Sequence, residues 1–165
     1  MARSIFADRI RYERVRLTRD RLWATFAPVA IRRTVHLKSS WGHFQGSGLS
    51  LTPSGLQTLI HELGHVWQYE NGGLAYIPKS LWAQGVAWLR TGDRGGAYRW
   101  REPLDAGQPW ASWNPEQQAQ AIEDFFAAQR RVEMRQRATF DARTLRVLEP
   151  CIAKVRRGEG APRFW

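Results

Sequence analysis

Three residues within five positions set the chemistry open to this chain: His61, Glu62 and His65, in the order H-E-x-x-H. Four residues advance a helix by little more than one turn, so two imidazoles at that spacing leave the same face and can share one cation. Glu62, beside them, can take a proton from a water that the cation activates. Zinc hydrolases that cleave amide bonds use this combination. A catalytic zinc also needs a third protein ligand and an open fourth position. Glu116, Glu123, His36 and His43 compete for the third place. Without a metal, the same motif is two hydrogen-bonded histidines and a carboxylate on an ordinary core helix.

The motif needs a helix, and the flanking residues supply one. Thr52 can cap it, Pro53 suits the first helical position, and Leu56, Leu59, Ile60, Leu63 and Trp67 recur at three- and four-residue steps. The pattern predicts a helix over about 53–70, ended at Asn71-Gly72-Gly73. Gly64 costs roughly 1 kcal/mol relative to alanine in a helix interior, so a second backbone or a substrate is expected to pass close by. Gln68 lies seven residues after His61 on the same face, where it can orient a ligand from behind.

A second helix opens at Asn114-Pro115-Glu116-Gln117, where Asn114 caps and Gln117 completes a capping box. Ala119, Ile122, Phe125 and Phe126 form its buried face. Glu116 is either an acid favoured by the helix dipole or an inward ligand. Glu123, about two turns on, points to a similar face and competes with it.

The remaining elements frame these two. Residues 2–9 read as helical turns, and Ile10, Tyr12, Val15 and Leu17 suggest a strand. Residues 23–38 continue as a hairpin or meander, with Val29, Ile31, Val35 and Leu37 on one face and Arg32 and His36 on the other. A small antiparallel sheet packed on the motif helix is expected, its edge able to hold an extended peptide. Pro78–Arg90 reads as a further helix, with Leu81, Trp82, Val86 and Leu89 in register. Residues 91–113 read as a long loop whose Tyr98, Trp100, Trp110 and Trp113 cover the core or wall a cleft. Tyr98, His43 and His36 are the candidates for stabilising an oxyanion. Asp141 is placed to cap a last helix running through Leu145, Leu148, Ile152 and Val155, interrupted at Pro150, and 158–165 reads as a frayed tail. The expectation is one α+β domain over 1–165.

Composition narrows the classes. One cysteine, Cys151, excludes an internal disulfide framework and reads as a core residue. No run of 18 apolar residues and no apolar signal core occur, so neither a membrane span nor a secretory signal is expected. That places the protein in the cytoplasm unless a signal-independent route exports it. Its charge of +10 is concentrated at the ends: residues 1–33 carry nine arginines against three acids, and residues 130–165 carry ten bases against four acids. The site-bearing middle is the least basic part. Such ends can attract nucleic acid or an acidic partner, although scattered arginines also simply solvate a surface.

The run His61-Glu62-Leu63-Gly64-His65-Val66-Trp67-Gln68, followed by Tyr98, Pro109 and Glu116-Gln117-Gln118-Ala119, resembles small bacterial Vgr-related or Rhs-associated proteins, whose blocks read H-E-x-x-H-V-W-Q and E-Q-Q-A-E. Ala7-Asp8 before Tyr12 and Arg14-Val15-Arg16 extend the likeness to the start. Gln120 departs from the second block, and residues 78–96 look inserted. The resemblance implies a minimal zincin-like peptidase domain, in some genomes linked to type VI secretion, and favours Glu116 over Glu123 as the third ligand.

The expected function is therefore a zinc peptidase in which His61, His65 and Glu116 bind Zn2+ and Glu62 is the general base. Its partners would be a peptide or protein substrate and secretion-system components. Two alternatives are a noncatalytic zinc-binding adaptor of a secretion apparatus, which would not depend on Glu62, and a basic nucleic-acid-binding protein, which would need no zinc.

Overall fold

The computed structural model describes residues 1–21, 28–134 and 138–164. Among these the chain is mixed α+β, with helices α1 (Ala2–Phe6), α2 (Pro53–Gly72), α3 (Tyr76–Thr91), α4 (Arg101–Asp105), α5 (Pro115–Glu133) and α6 (Ala138–Arg157). Three short strands, β1 (Arg16–Arg19), β2 (Val29–Ile31) and β3 (Thr34–Leu37), form one sheet in the order β1-β3-β2.

Helix α2 runs through the centre. Thr52 accepts the Gly55 N–H at 3.0 Å as its cap, with Pro53 in the first turn, as the local chemistry dictates. Its flank at Ile60, Leu63, Val66 and Trp67 is buried with Phe125 and Ile122 of α5 and with Leu148 and Ile152 of α6. Gly64 explains itself here: a Cβ at that position would sit 3.3 Å from Ala119 Cα of α5. The missing side chain lets the two helices approach, which brings Glu116 towards the motif. Gly55 is required for a different reason, since a Cβ there would lie 2.0 Å from the His43 carbonyl oxygen.

The sheet differs from expectation. Only the β2–β3 pair is antiparallel; β1 and β3 run parallel, Leu17 opposite Val35. Alternating apolar residues specify strands but not their order, and here β3 returns from a two-residue connection to insert between β1 and β2. The strand faces also shift. Ala30 pairs with Val35 on the core side, while Ile31 is exposed. Residues 23–27 of the expected strand region lie outside the described residues. Tyr12 belongs to a short 3-10 turn, Tyr12–Arg14, and the strand starts only at Arg16.

Residues 91–113 are not one irregular loop. They contain 3-10 turns at Arg94–Tyr98 and Trp110–Ser112 with α4 between them. Trp100, Trp110 and Trp113 are buried, which is the apolar gain that orders this glycine- and proline-punctuated stretch. The tail is packed as far as Pro162: Ala161 is buried, and Gln118 donates to the Gly160 carbonyl at 2.9 Å.

Two further expectations change. Asp141 lies within α6 rather than at its cap, fully buried and bridged by the Arg131 guanidinium at 2.8 and 3.0 Å. Helix α3 forms as read, yet Leu81, Trp82 and Leu89 are exposed and Tyr76, Ser80 and Ala87 face inward. Ala87 meets the Arg94–Tyr98 turn, its Cβ 3.4 Å from where a Cβ on Gly96 would lie.

Candidate metal centre

His61 and His65 project from α2 towards the start of α5, where Glu116 meets them. The Nε2 atoms of both rings lie 3.5 Å from the same oxygen, Glu116 Oε2. Ligand atoms about 2.0–2.2 Å from a common tetrahedral centre would be about 3.4 Å apart, so this separation fits a divalent cation held by N, N and O. Among the described residues these three form the one group of side chains that converges in this way.

Each ligand is held from behind. His65 Nδ1 donates to Gln68 Oε1 at 2.8 Å, and the Gln68 amide donates in turn to the Pro115 carbonyl at 2.9 Å and to Gln118 Oε1 at 3.1 Å. Gln118 passes the network on to the Trp110 and Gly160 carbonyls, both at 2.9 Å. His61 Nδ1 faces Glu123 Oε2 at 3.1 Å. Glu116 Oε1 accepts from the Gln84 amide at 3.0 Å. With the Nδ1 atoms as donors, both Nε2 lone pairs are turned to the shared point.

Electrostatics agree with the geometry. Burial alone would raise Glu116, but His65 and His61 outweigh it and hold the carboxyl well below its usual range. Burial pulls His61 down, while Glu116 and Glu123 lift it to about 10, so a cation entering this site displaces a proton. Glu62 is raised, chiefly by burial and only partly offset by His65 and His61. Its Oε2 is buried with no hydrogen-bond partner among the described residues, an exception to the rule that buried polar atoms are paired.

The three side chains and Glu62 lie along a cavity of about 420 Å³ walled by β2, α3 and the Arg94–Tyr98 turn. Tyr98 reaches it, its ring centroid 5.9 Å from that of His61; burial, and then the negative charge of Glu116 and Glu62, raises its phenol. The other sequence candidates go elsewhere. His43 lies under the start of α2, accepting the Lys38 N–H at 3.2 Å on Nδ1 and 3.4 Å from the Thr58 hydroxyl. His36 faces a separate cavity on the far side of the sheet, beside Thr18. Neither joins the cluster, and Glu123 stands behind His61 rather than at the shared point.

Tyr76 and Gln84 went unread in the sequence, since neither belongs to a motif. Tyr76 stacks on His65 at 5.7 Å, and its hydroxyl donates to the Ala30 carbonyl at 2.9 Å while accepting the Arg32 N–H at 3.0 Å. The Ala30 N–H is turned to Glu62. The outward backbone groups at Ala30 are thus already used, so an extended peptide cannot add along β2 there without displacing Tyr76 and Glu62.

No helix among the described residues is long and apolar enough to cross a membrane. Comparison with family models, with curated proteins and with solved structures finds no match.

Proposed function

We infer that this chain is a metal-dependent peptidase with zinc as its cation, a zincin-like domain reduced to two ligand-bearing helices and a small sheet. The observation that carries the reading is the meeting of His61 Nε2, His65 Nε2 and Glu116 Oε2 beside an unpartnered Glu62 oxygen, at the wall of a cavity. Two imidazoles and one carboxylate suit zinc among the common divalent ions. Zinc in such a site lowers the pKa of a water towards 7 and polarises a carbonyl.

The chain's own residues supply the rest. Glu62, raised by burial, takes the proton from the attacking water and returns it to the departing amine. Gln68 and Glu123 keep the imidazoles in the tautomer that presents Nε2, and Gln84 fixes the Glu116 carboxylate. Tyr98, which lines the cavity, is the candidate to offer an O–H to a developing oxyanion. Val29, Trp41, Ile77 and Leu81 give the cavity apolar walls, which favours apolar side chains near the scissile bond. The resemblance to Vgr-related proteins supports partners among secretion-system components.

The test is cleavage of a peptide library by zinc-loaded protein, with Glu62→Gln as the comparison. Zinc retained and cleavage lost in the variant is the expected result. Fully metallated wild type that cuts nothing in the library would leave the adaptor reading in its place.

A further inference from the structure

On the side of the sheet away from the metal centre lies a second cavity, about 600 Å³, lined by Arg14, Arg16, Arg21, Arg32 and Arg33 together with Thr18, Thr34 and His36. The register explains how they gather. In the parallel β1–β3 pair Arg16 stands opposite Thr34 and Thr18 opposite His36, so these four alternate onto one face. The turn between β2 and β3 adds Arg32 and Arg33 at one end.

Three features separate this from a solvated basic surface. Among the described residues no acid lines the cavity, and only Arg33 of the five arginines is ion-paired, to Glu70. Five guanidinium groups around one hollow repel each other, and a multiply charged anion between them would relieve that repulsion. Next, Arg32 has φ +55 at the first position of a two-residue hairpin connection, where glycine or asparagine is the usual occupant. A side chain kept in a left-handed conformation at a cost of order 1 kcal/mol points to a use for that side chain. Lastly, the described residues that line the cavity offer hydroxyl and imidazole groups but no phenyl, phenol or indole ring. That set of charged and hydrogen-bonding groups suits an oxyanion.

We propose that this arginine cavity is a binding site for a compact, multiply charged oxyanion of the phosphate type. Guanidinium forks match the paired oxygens of such a group, and the Thr34 hydroxyl lies in the same lining. Ile31 lines both this cavity and the metal cleft, so the site borders the cleft across a single hairpin. The assignment rests on the cavity alone and not on the peptidase reading.

The test is titration calorimetry of the zinc-loaded protein with inorganic phosphate, against sodium chloride at matched ionic strength. Arg32→Gly removes one guanidinium while keeping the backbone N–H that Tyr76 accepts and easing the left-handed conformation. Arg16→Gln removes a second from an exposed position. Each is expected to weaken phosphate binding at least tenfold without changing zinc stoichiometry or lowering the melting temperature. Arg143→Gln, on α6, is expected to bind as wild type does. No saturable phosphate binding by wild type would overturn the proposal. So would equal weakening by Arg143→Gln, or tight binding of a tetraglutamate peptide in place of phosphate.

Discussion

His61 stands between two carboxylates: Glu116 Oε2 lies 3.5 Å from its Nε2, and Glu123 Oε2 lies 3.1 Å from its Nδ1. One acid joins the group that converges with His65 and the other holds the ring. Glu116→Ala should therefore cost most of the zinc affinity, while Glu123→Ala should cost about 10–100-fold, the usual effect of losing a partner behind a ligand. Competition with a chromophoric chelator measures both, and the reverse order would transfer the ligand role to Glu123.

Glu62→Gln should leave zinc stoichiometry intact and lower kcat by about 10²–10⁴, the range for loss of a positioned acid-base group. The variant should melt no lower than wild type, since it replaces a buried carboxylate that has an unpartnered oxygen by a neutral group of the same shape. Steady-state kinetics on one cleaved peptide, with metal analysis of the same sample, decide it.

Gln68→Leu strips His65 Nδ1 of its acceptor and leaves Gln118 Oε1 and the Pro115 carbonyl without their donor. Unsatisfied buried groups cost about 1–3 kcal/mol. The expected signature is a drop in denaturant midpoint together with zinc affinity weakened about 10–100-fold. A variant that is less stable but binds zinc normally would reduce Gln68 to a packing residue.

Gly64→Ala sets two effects against each other. Helix propensity gains roughly 1 kcal/mol, whereas a methyl 3.3 Å from Ala119 Cα overpacks the α2–α5 contact at about 1–3 kcal/mol. A net loss is expected, with zinc affinity falling too, because Glu116 and the two histidines sit on the helices being forced apart. Stabilisation with unchanged zinc binding would show that the close approach is slack.

His43 titrates in the opposite sense to His61. Burial lowers its pKa below 6.5, and the Lys38 N–H on Nδ1 requires the neutral ring. A depressed histidine contributes stability that is present above 6.5 and lost as the pH falls through its folded value. His43→Gln should flatten the decline of urea midpoint between pH 7 and pH 5.5 in zinc-loaded protein. Parallel declines in wild type and variant would contradict it.

Much of the site could be read directly. The four-residue spacing of His61 and His65 implies a shared face on any helix, and Thr52, Pro53 and the Asn114–Gln117 box mark the two helix starts that the fold uses. Those features are local: caps and periodicity act within a turn or two, so a linear string contains them. The missing side chain of Gly64 also signalled a close neighbour, though not its identity. What the string could not specify was anything resting on distant segments meeting. Leu81, Trp82 and Leu89 kept helical register yet lie outside, because register says which residues share a face and not which face is covered.

By itself, then, the order of residues determined a pair of histidines on one face, a glutamate beside it and the two helices that carry the candidates, since each depends only on near neighbours along the chain. Tertiary packing set Glu116, which the resemblance had favoured, beside the two histidines in place of Glu123, His36 or His43, by bringing α5 against Gly64. It also ran β1 parallel to β3 and thereby gathered the arginines and His36 on the far face of the sheet. Those outcomes turn on contacts between residues tens of positions apart, and such contacts follow from shape and burial once the whole chain has collapsed.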